Sequence, residues 1–290
     1  MKVLTWNIQW GLGMDGRVDL ARIARHAREF GDPDVICLQE VADGMNDLPG
    51  QDLAGQDLAG QEGADQFAEI ARLFPDHQAV VGAGVEIFDE AGKRRRFGNM
   101  ILSRLPVLQV LRHQLPWPGA EGLNMPRVVI EASIASPFGP VRVMTTHAEY
   151  FSADLRAAGI EAIRAVHSQA SSRETTRREA GTGPYRLRPG SRSAILTGDF
   201  NMRPADATRH RLLEPFGDGT MPFVDAWTAR HGDTPHPPSF CIADGRYGTP
   251  HCCDYIFVTA DLASRVTGIV YDTRTRLSDH QPVLTTFEAA

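Results

Sequence analysis

The chain has 290 residues, of which 42% are hydrophobic and 23% are charged, and its formal net charge at pH 7 is −6. This composition is ordinary for a globular protein with a sizeable core, and it excludes a polycation that binds nucleic acid over its whole surface. A local basic patch is still permitted. Neither a basic-apolar leader nor a long apolar run follows Met1. We therefore expect no signal peptide, no membrane span and a cytoplasmic location.

The predicted elements alternate between strands and helices along the whole chain. Apolar periodicity predicts helices at 19–30, 65–74, 153–170 and 205–213. Short apolar runs predict strands at 3–4, 35–38, 78–88, 97–103, 107–115, 127–135, 141–147 and 194–196, and three more after residue 251. No shift in composition marks a boundary, so we predict one domain over 1–290. The simplest packing is two sheets face to face with helices outside.

Three segments are predicted to be loops. Residues 43–64 are Gly-rich and acidic and contain a tandem repeat of Gln-Asp-Leu-Ala-Gly, which indicates a mobile loop. Residues 171–192 are polar and basic and are predicted to be an insertion at the far end of the strand that follows them. Residues 231–251 form a third loop, rich in Pro, Gly and His.

The four cysteines fit a reducing compartment, and we expect all of them to be reduced. A zinc site built from Cys241, His251, Cys252 and Cys253 is conceivable. Their spacing matches no tetrahedral zinc pattern, so plain packing is the favoured interpretation.

Polar residues stand at the ends of six predicted strands. The six signatures are Thr5-Trp6-Asn7, Gln39-Glu40, Thr146-His147, Gly198-Asp199-Phe200-Asn201, Asp254-Tyr255-Ile256 and Ser278-Asp279-His280. Four of them follow apolar runs and the last two precede such runs, so in a sheet with antiparallel neighbours all six meet at one edge. Any one of them alone is typical of a loop or cap residue. Together they predict a single functional rim at that edge of the molecule.

The rim carries carboxylates suited to a hard metal ion. Glu40 is the strongest candidate ligand, because Mg²⁺ keeps most of its water and binds through one or two protein carboxylates. Asn7 and Asp279 are candidates for the same site, directly or through water. For Glu40 taken alone, a surface or helix-cap carboxylate is the competing interpretation.

The other rim residues are suited to positioning water and neutralising charge. In an extended segment Asp199 and Asn201 point to the same side and can hold an attacking water, although an Asx turn is the alternative. Asp254 can orient His280 and favour its imidazolium form, and His147 can act from the other side. Either histidine alone is more often structural. The combination predicts phosphoryl transfer to water, without a Ser or Cys nucleophile motif or a P-loop.

These motifs, with Gly98-Asn99-Met100-Ile101-Leu102-Ser103-Arg104 among them, resemble the ordered motifs of the endonuclease/exonuclease/phosphatase superfamily from residue 3 to residue 287. Members include deoxyribonuclease I, AP endonucleases, sphingomyelinases and inositol polyphosphate 5-phosphatases. The resemblance implies a deoxyribonuclease I-like four-layer α/β sandwich, in which two packed mixed sheets are flanked by helices. It also implies Mg²⁺- or Mn²⁺-dependent cleavage of a phosphoester.

The resemblance further implies individual roles for the rim residues. Glu40 would ligate the metal with Asn7 and Asp279 near it, Asp199 and Asn201 would position the water, Asp254 would pair with His280, and His147 would contact the scissile phosphate. Whether Asp199 or His280 removes the proton stays open. Gln9 stands where AP endonucleases carry an acidic residue, so an AP-endonuclease activity is not expected.

Several basic residues are candidates for contacting a phosphate-rich substrate. The hairpin Lys93-Arg94-Arg95-Arg96 overhangs the rim if strand 78–88 runs toward it, and a solvated turn is the alternative. Arg127 and Asn99 are weaker candidates for contacting the substrate phosphate. The leading substrate is a phosphodiester in nucleic acid. The alternatives are a small phosphoester of a lipid headgroup, sugar or nucleotide, and a non-catalytic binding protein on the same fold; no protein partner is inferable.

Overall fold

A computed structural model of the chain describes residues 1–45, 48, 64–176 and 178–288. In these residues the strands are β1 Lys2–Asn7, β2 Val35–Asp43, β3 Gln78–Phe88, β4 Arg94–Ser103, β5 Val107–Gln114, β6 Val128–Ser136, β7 Gly139–His147, β8 Ala194–Asp199, β9 Phe223–Asp225, β10 Asp254–Thr259, β11 Val266–Tyr271 and β12 Val283–Phe287. The α-helices are α1 Leu20–Glu29, α2 Gln66–Leu73, α3 Ala153–Thr175, α4 Ala207–Leu213 and α5 Ala226–His231. Short 3₁₀ segments lie at Gln9–Gly11, Gly183–Tyr185, Gly245–Tyr247 and Ala260–Arg265.

The strands form two mixed sheets of six strands each. The first has the order β11-β12-β1-β2-β4-β3 and the second the order β5-β6-β7-β8-β10-β9. One neighbouring pair in each sheet is parallel, β1 with β2 and β7 with β8, and the other pairs are antiparallel. A parallel pair requires a crossover connection, which α1 and α3 supply for the two pairs.

Alternation along the strands builds four layers. Val3 lies between the two sheets, while Leu4, the next residue, packs with the residues of α1 and α2 on the outer face. On the second sheet Ile195 lies between the sheets and Leu196 packs with Ile163 of α3. Successive strand residues point to opposite faces, so one run of apolar residues serves two interfaces. The predicted four-layer α/β sandwich is confirmed.

The strand directions bring the polar strand ends to one edge. Asn7 pairs with Gln39 at the ends of β1 and β2, and His147 pairs with Asp199 at the ends of β7 and β8. β10 runs the other way and begins opposite Asp199. β12 is antiparallel to β1, so the segment before it returns to the same edge. Four strands thus arrive at the rim and two leave it.

Several elements differ from the sequence-based prediction. Helix α3 continues to Thr175, into the segment predicted as a loop, because Ser171 is buried and Arg173 reaches Glu131 at 3.9 Å. The strand β9 and the helix α5 were not predicted. Asp225 caps α5 by accepting from the backbone of Trp227. Both elements are too short to give a periodic pattern.

The basic hairpin also differs from the prediction. The turn lies before Arg94, at which β4 already begins, so the three arginines are strand residues rather than turn residues. The predicted mobile loop at 43–64 falls mostly outside the described residues. None of the described helices is long and apolar enough to span a membrane.

Candidate active site

One buried amide joins the two sheets at the rim. Asn7 is fully buried at the end of β1. Its Nδ2 donates to Oε1 of Glu40 at 2.9 Å and to Oδ2 of Asp199 at 3.1 Å. Its Oδ1 accepts from the backbone N–H of Gln9 at 3.0 Å. Asn7 therefore holds a carboxylate of each sheet at a fixed position.

Glu40 lies where β2 leaves its regular register. The pairing of β2 with β4 shifts between Leu38 and Val41, and Glu40 has a φ of 57°. Bulges of this kind re-aim a side chain, and a left-handed non-glycine residue is a strained conformation that persists when its surroundings fix it. The Glu40 side chain is 17% exposed, and its Oε1 lies 3.9 Å from Nε2 of His147. The bulge thus turns this carboxylate toward the rim.

Asp199 is the centre of the site. Its Oδ2, which accepts from Asn7, also lies 3.5 Å from Nε2 of both His147 and His280. Its Oδ1 accepts from the backbone N–H of Asn201 at 2.9 Å, and the Asn201 side chain donates to the carbonyl of Ala148 at 3.0 Å. The Asx turn weighed against a water-holding pair is therefore present. It fixes Asp199 while leaving the side-chain oxygen of Asn201 without a hydrogen bond among the described residues.

Asp254 and His280 form a buried pair. Oδ2 of Asp254 lies 2.9 Å from Nδ1 of His280 and accepts from Oγ of Ser239 at 2.7 Å. Burial opposes charge on the ring, but the carboxylates of Asp254 and Asp199 outweigh it and hold the pKa of His280 well above its ordinary value. The His280 ring also stacks on Phe240 at 4.4 Å. This histidine is an imidazolium at neutral pH.

His147 has the opposite protonation state. Burial, and then the nearby Arg127 guanidinium, lower its pKa to about 3, although Asp199 opposes them. Arg127 is held by Glu149, whose Oε2 accepts from Nε at 3.1 Å. His147 is therefore neutral at pH 7 and can donate one hydrogen bond while accepting another.

The carboxylates of the rim are crowded in a way that fits a divalent cation. Burial and the Asp279 carboxylate raise the pKa of Glu40 to about 7, with Asn7 opposing. Burial also raises the pKa of Asp279, with the nearby Asp199 carboxylate adding to it and His280 opposing. Oxygen donors that repel one another in this way are the ligands that Mg²⁺ and Mn²⁺ prefer. Glu40, with Asn7 and Asp279, fits such an ion.

A second group of possible ligands does not fit a metal as well. Donor atoms of Asp199, Cys253, Asp254 and His280 lie within 4.8 Å of one another. Burial and the Asp254 carboxylate raise the pKa of Cys253 well above its ordinary value, so it is a thiol rather than a thiolate. This group is a hydrogen-bonded network. The conceivable zinc set is not assembled among the described residues, since Cys253 is its one member in the group, and all four cysteines are free.

The candidate phosphate-binding residues lie on the rim side, but their polar groups already bind other groups of the protein. Arg94 pairs with Glu86 at 3.2 Å, Arg95 with Asp89 at 3.4 Å, and Arg96 with Asp43 at 2.8 Å and with Asp65 at 3.3 Å. Asn99 is buried and donates to the carbonyl of Val128 at 3.1 Å. Of these candidates, Arg127 lies near enough to His147 to lower its pKa, and it pairs with Glu149.

Two residues of the site were missed by sequence reasoning. Ser239 orients Asp254, and Phe240 supports the ring of His280. Both lie in the loop rich in Pro, Gly and His, where no periodicity or motif distinguishes them. Only their position in space reveals the contact.

Comparisons with known proteins show the family and the fold of the chain. Residues 4–280 match the sequence profile described as "Endonuclease/Exonuclease/phosphatase family". No curated protein matches the sequence. Solved structures resemble the chain in fold. An endonuclease/exonuclease/phosphatase from Beutenbergia cavernae DSM 12333 is 23% identical, with a TM-score of 0.66, over 100% of this chain and 72% of that one.

Two further structures are similar over nearly their whole length. The 3′ phosphatase NExo from Neisseria, bound to a product DNA hairpin, is 18% identical with a TM-score of 0.60, over 99% of both chains. The mannosyl-6-phosphatase Bt3783 of Bacteroides thetaiotaomicron is 16% identical with a TM-score of 0.59, again over 99% of both chains. At these identities the likeness concerns the fold. With the profile match over almost the whole sequence, the chain belongs to the endonuclease/exonuclease/phosphatase family of hydrolytic phosphoesterases.

Proposed function

We propose that this protein is a Mg²⁺- or Mn²⁺-dependent phosphodiesterase in which water attacks phosphorus directly, with nucleic acid as the leading substrate class. The observation that carries the proposal is the convergence of Glu40, Asp199 and the Asp254–His280 pair around Asn7, with both sheets contributing. Phosphoryl transfer needs positioned water and neutralised charge rather than a protein nucleophile. The rim offers both.

The cation would be held by Glu40, with Asn7 and Asp279 contributing directly or through water. When bound, such an ion offsets the charge that develops on the phosphoryl oxygens. The raised pKa of Glu40, about 7, indicates that Asn7 and the positive charge of His280 do not offset the burial and crowding of this carboxylate.

Asp199 and His280 have different roles in the proposed reaction. His280 is already protonated at neutral pH, so it stabilises a phosphoryl oxygen and does not accept the proton of water. The acceptor is then Asp199, which the hydrogen bonds from Asn7 and Asn201 hold in place. Neutral His147 can donate to a non-bridging phosphoryl oxygen from the opposite side of Asp199.

Hydrolysis of a small phosphoester is the second candidate. The observation in its favour is that Arg94, Arg95 and Arg96 are each paired with a carboxylate, which reduces their attraction for a long polyanion. The cytoplasmic location stays a prediction from the sequence.

The test is hydrolysis of supercoiled plasmid DNA, bis-p-nitrophenyl phosphate and p-nitrophenyl phosphate with Mg²⁺, Mn²⁺ or EDTA. We expect metal-dependent hydrolysis of the diesters, lost by roughly 10²-fold or more in Asp199→Asn. The matched control is Glu161→Gln, which removes a carboxylate charge from an exposed pair with Arg211 and should retain activity. Full activity in Asp199→Asn, or hydrolysis that resists EDTA, contradicts the mechanism. Cleavage of the monoester alone favours a small phosphoester.

A further inference from the structure

Exposed aromatic rings from two separate loops meet beside the rim. Tyr150 and Phe151 follow β7 directly after the catalytic strand end, and Tyr247 ends the 3₁₀ segment Gly245–Tyr247. Tyr150 and Tyr247 lie edge to face with 6.4 Å between ring centroids, and Tyr150 and Phe151 do the same at 4.9 Å. The three residues are 40%, 62% and 50% exposed in the order Tyr150, Phe151, Tyr247. Large rings of this kind usually bury more of their surface.

These rings are connected to the catalytic histidine. Phe240 lies between Tyr247 and His280, stacked on both, with ring centroids 5.9 Å from Tyr247 and 4.4 Å from His280. Tyr247 is therefore two ring layers from the imidazolium that faces Asp199. The ring of Phe240 therefore packs against both Tyr247 and His280.

The other loop is fixed to the site as firmly. The backbone N–H of Ala148 donates to the carbonyl of Asp199 at 2.8 Å, and the carbonyl of Ala148 accepts from the side chain of Asn201. The backbone carbonyl of Tyr150 accepts from Arg156 at 3.1 Å. The backbone that carries Tyr150 is thus held beside the reacting groups.

We propose that Tyr150 and Tyr247 form a stacking surface for an unpaired nucleobase attached to the scissile phosphodiester, so that the substrate is single-stranded nucleic acid. The inference rests on the proposed function and names the substrate class of the same site. Aromatic faces beside a backbone-binding site accept bases of any sequence, because every base has a π-face. A base stacked within a duplex has no free face to offer, so the base must be unpaired.

The charge around the rings fits this occupant. The Arg246 guanidinium lies 5.9 Å from the Tyr247 centroid and pairs with Asp244, and Arg127 lies near His147 and pairs with Glu149, so each offers a stacking face and partial charge rather than a free cation. Guanidinium groups beside aromatic rings add cation–π and phosphate contacts that favour a nucleotide over a lipid tail. A sugar ring would instead require several hydrogen-bonding side chains, and the exposed rings of Tyr150, Phe151 and Tyr247 offer two hydroxyls.

The test uses diesters with a single scissile phosphate. Thymidylyl-(3′→5′)-thymidine is compared with three counterparts in which hydrogen replaces the 5′-side base, the 3′-side base or both, and kcat/KM is measured with saturating Mg²⁺ or Mn²⁺. We expect kcat/KM for thymidylyl-(3′→5′)-thymidine to exceed that for one of the two counterparts that keep a single base by about five-fold or more. In Tyr247→Leu and Tyr150→Leu this preference should fall toward one. Tyr247→Phe keeps the ring and should keep the preference.

Tyr185→Leu is the matched control, since Tyr185 is 82% exposed in the segment that precedes β8, away from the rim. It should show the preference of the unaltered protein. A preference near one in the unaltered protein, or one that both leucine variants retain, overturns the inference. Hydrolysis of bis-p-nitrophenyl phosphate without hydrolysis of any dinucleoside diester overturns the inference and leaves the phosphodiesterase in place. No hydrolysis of any ester overturns the proposed function as well.

Discussion

At the scale of single residues, Asn7 shows why an amide rather than a carboxylate stands between Glu40 and Asp199. Its Nδ2 group has two hydrogens, and each has one carboxylate acceptor. An aspartate at this position would place a third negative charge against the other two and remove the donor that they share. The amide therefore permits two carboxylates to lie close together in a buried setting.

The two histidines of the site differ although both lie 3.5 Å from the same oxygen of Asp199. His280 has a second carboxylate, Asp254, at its Nδ1, which raises its pKa against the effect of burial. His147 is buried with Arg127 nearby, so its pKa falls to about 3. The site thus contains one imidazolium and one neutral imidazole at pH 7. His280 is the charged one because Asp254 pairs with its Nδ1.

Asp254→Asn should therefore lower the pKa of His280. Without this carboxylate, burial is opposed only in part, by Asp199 and Asp279, and the ring loses its proton at a lower pH than in the unaltered protein. We expect activity to fall by roughly 10²–10⁴-fold at neutral pH. Because the proposed mechanism uses the protonated ring, residual activity should decline as pH rises through the lowered pKa. NMR titration of the ring protons measures the pKa directly.

The control for this change is Ser239→Ala. It removes the hydroxyl that donates to Oδ2 of Asp254 but keeps the carboxylate beside His280. The His280 pKa should stay above its ordinary value in this variant. An unaltered His280 pKa in Asp254→Asn shows that the pair does not set the protonation of the ring.

The sequence predicted the partnership of Asp254 and His280, since each stands at the start of an apolar run that leaves the rim. It did not predict Ser239 or Phe240. Their contacts arise because the loop that contains them folds back, with Phe240 bridged to both His251 and His280. The local sequence pattern does not indicate that this loop folds back onto His280.

At the scale of elements, the close pairing of β7 and β8 fixes the distance between His147 and Asp199. Gly198 has a φ of 143°, and a Cβ at this residue would lie 2.0 Å from the carbonyl oxygen of Thr146. Both the backbone conformation and the space therefore require glycine. Without a side chain at Gly198, the two strand ends can approach each other directly.

Gly198→Ala should destabilise the protein and disturb the site together. The added methyl must displace the backbone of β7, because its nearest contact is a carbonyl rather than a flexible side chain. We expect a loss of about 2 kcal/mol or more in the free energy of unfolding in urea, and a drop in kcat. Gly139→Ala is the control, since Gly139 also has a positive φ, 100°, but nothing lies within 4 Å of its added Cβ. Equal losses in the two variants would show that strain alone is responsible.

Element boundaries were predictable where periodicity was strong and not where tertiary contacts decide them. The helix α1 and the strands of the core follow their apolar patterns closely. By contrast, α3 extends to Thr175, where Arg173 reaches the buried Glu131 of the second sheet at 3.9 Å and the buried Ser171 accepts from Arg192. The arginines of β4 were predicted to lie in the turn; in the structure Arg94 pairs with Glu86 of the neighbouring strand β3, and Arg96 pairs with Asp43, which is distant in sequence.

At the scale of the whole molecule, the site exists only where the two sheets meet. Asn7, Glu40 and Asp279 belong to the first sheet or its connections, while His147, Asp199 and Asp254 belong to the second. Packing of the sheets therefore buries carboxylates that repel one another. Burial, and then this repulsion, raise the pKa of both Glu40 and Asp279.

The burial and repulsion should make stability depend on pH and on metal. The pKa of Glu40 is about 7 in the folded chain and near 4.5 in the unfolded chain, so the folded state binds more protons between these values. Stability should therefore fall as pH rises from about 4.5 to above 7, by up to about 3 kcal/mol from this group. A divalent cation that binds the folded state should restore stability at pH 8 according to its concentration and affinity.

Glu40→Gln separates these effects in a measurement that does not depend on activity. The amide cannot ionise, so the metal-free variant should lose less stability than the unaltered protein between about pH 5 and about pH 8, as measured by urea unfolding. Mg²⁺ or Mn²⁺ should then raise the melting temperature of the unaltered protein at pH 8 and have little effect on the variant. Glu161→Gln, on the exposed face of α3, should behave as the unaltered protein in both measurements. If the metal stabilises Glu40→Gln as much as the unaltered protein, the cation is held elsewhere, and the crowding of carboxylates between the sheets has another cause.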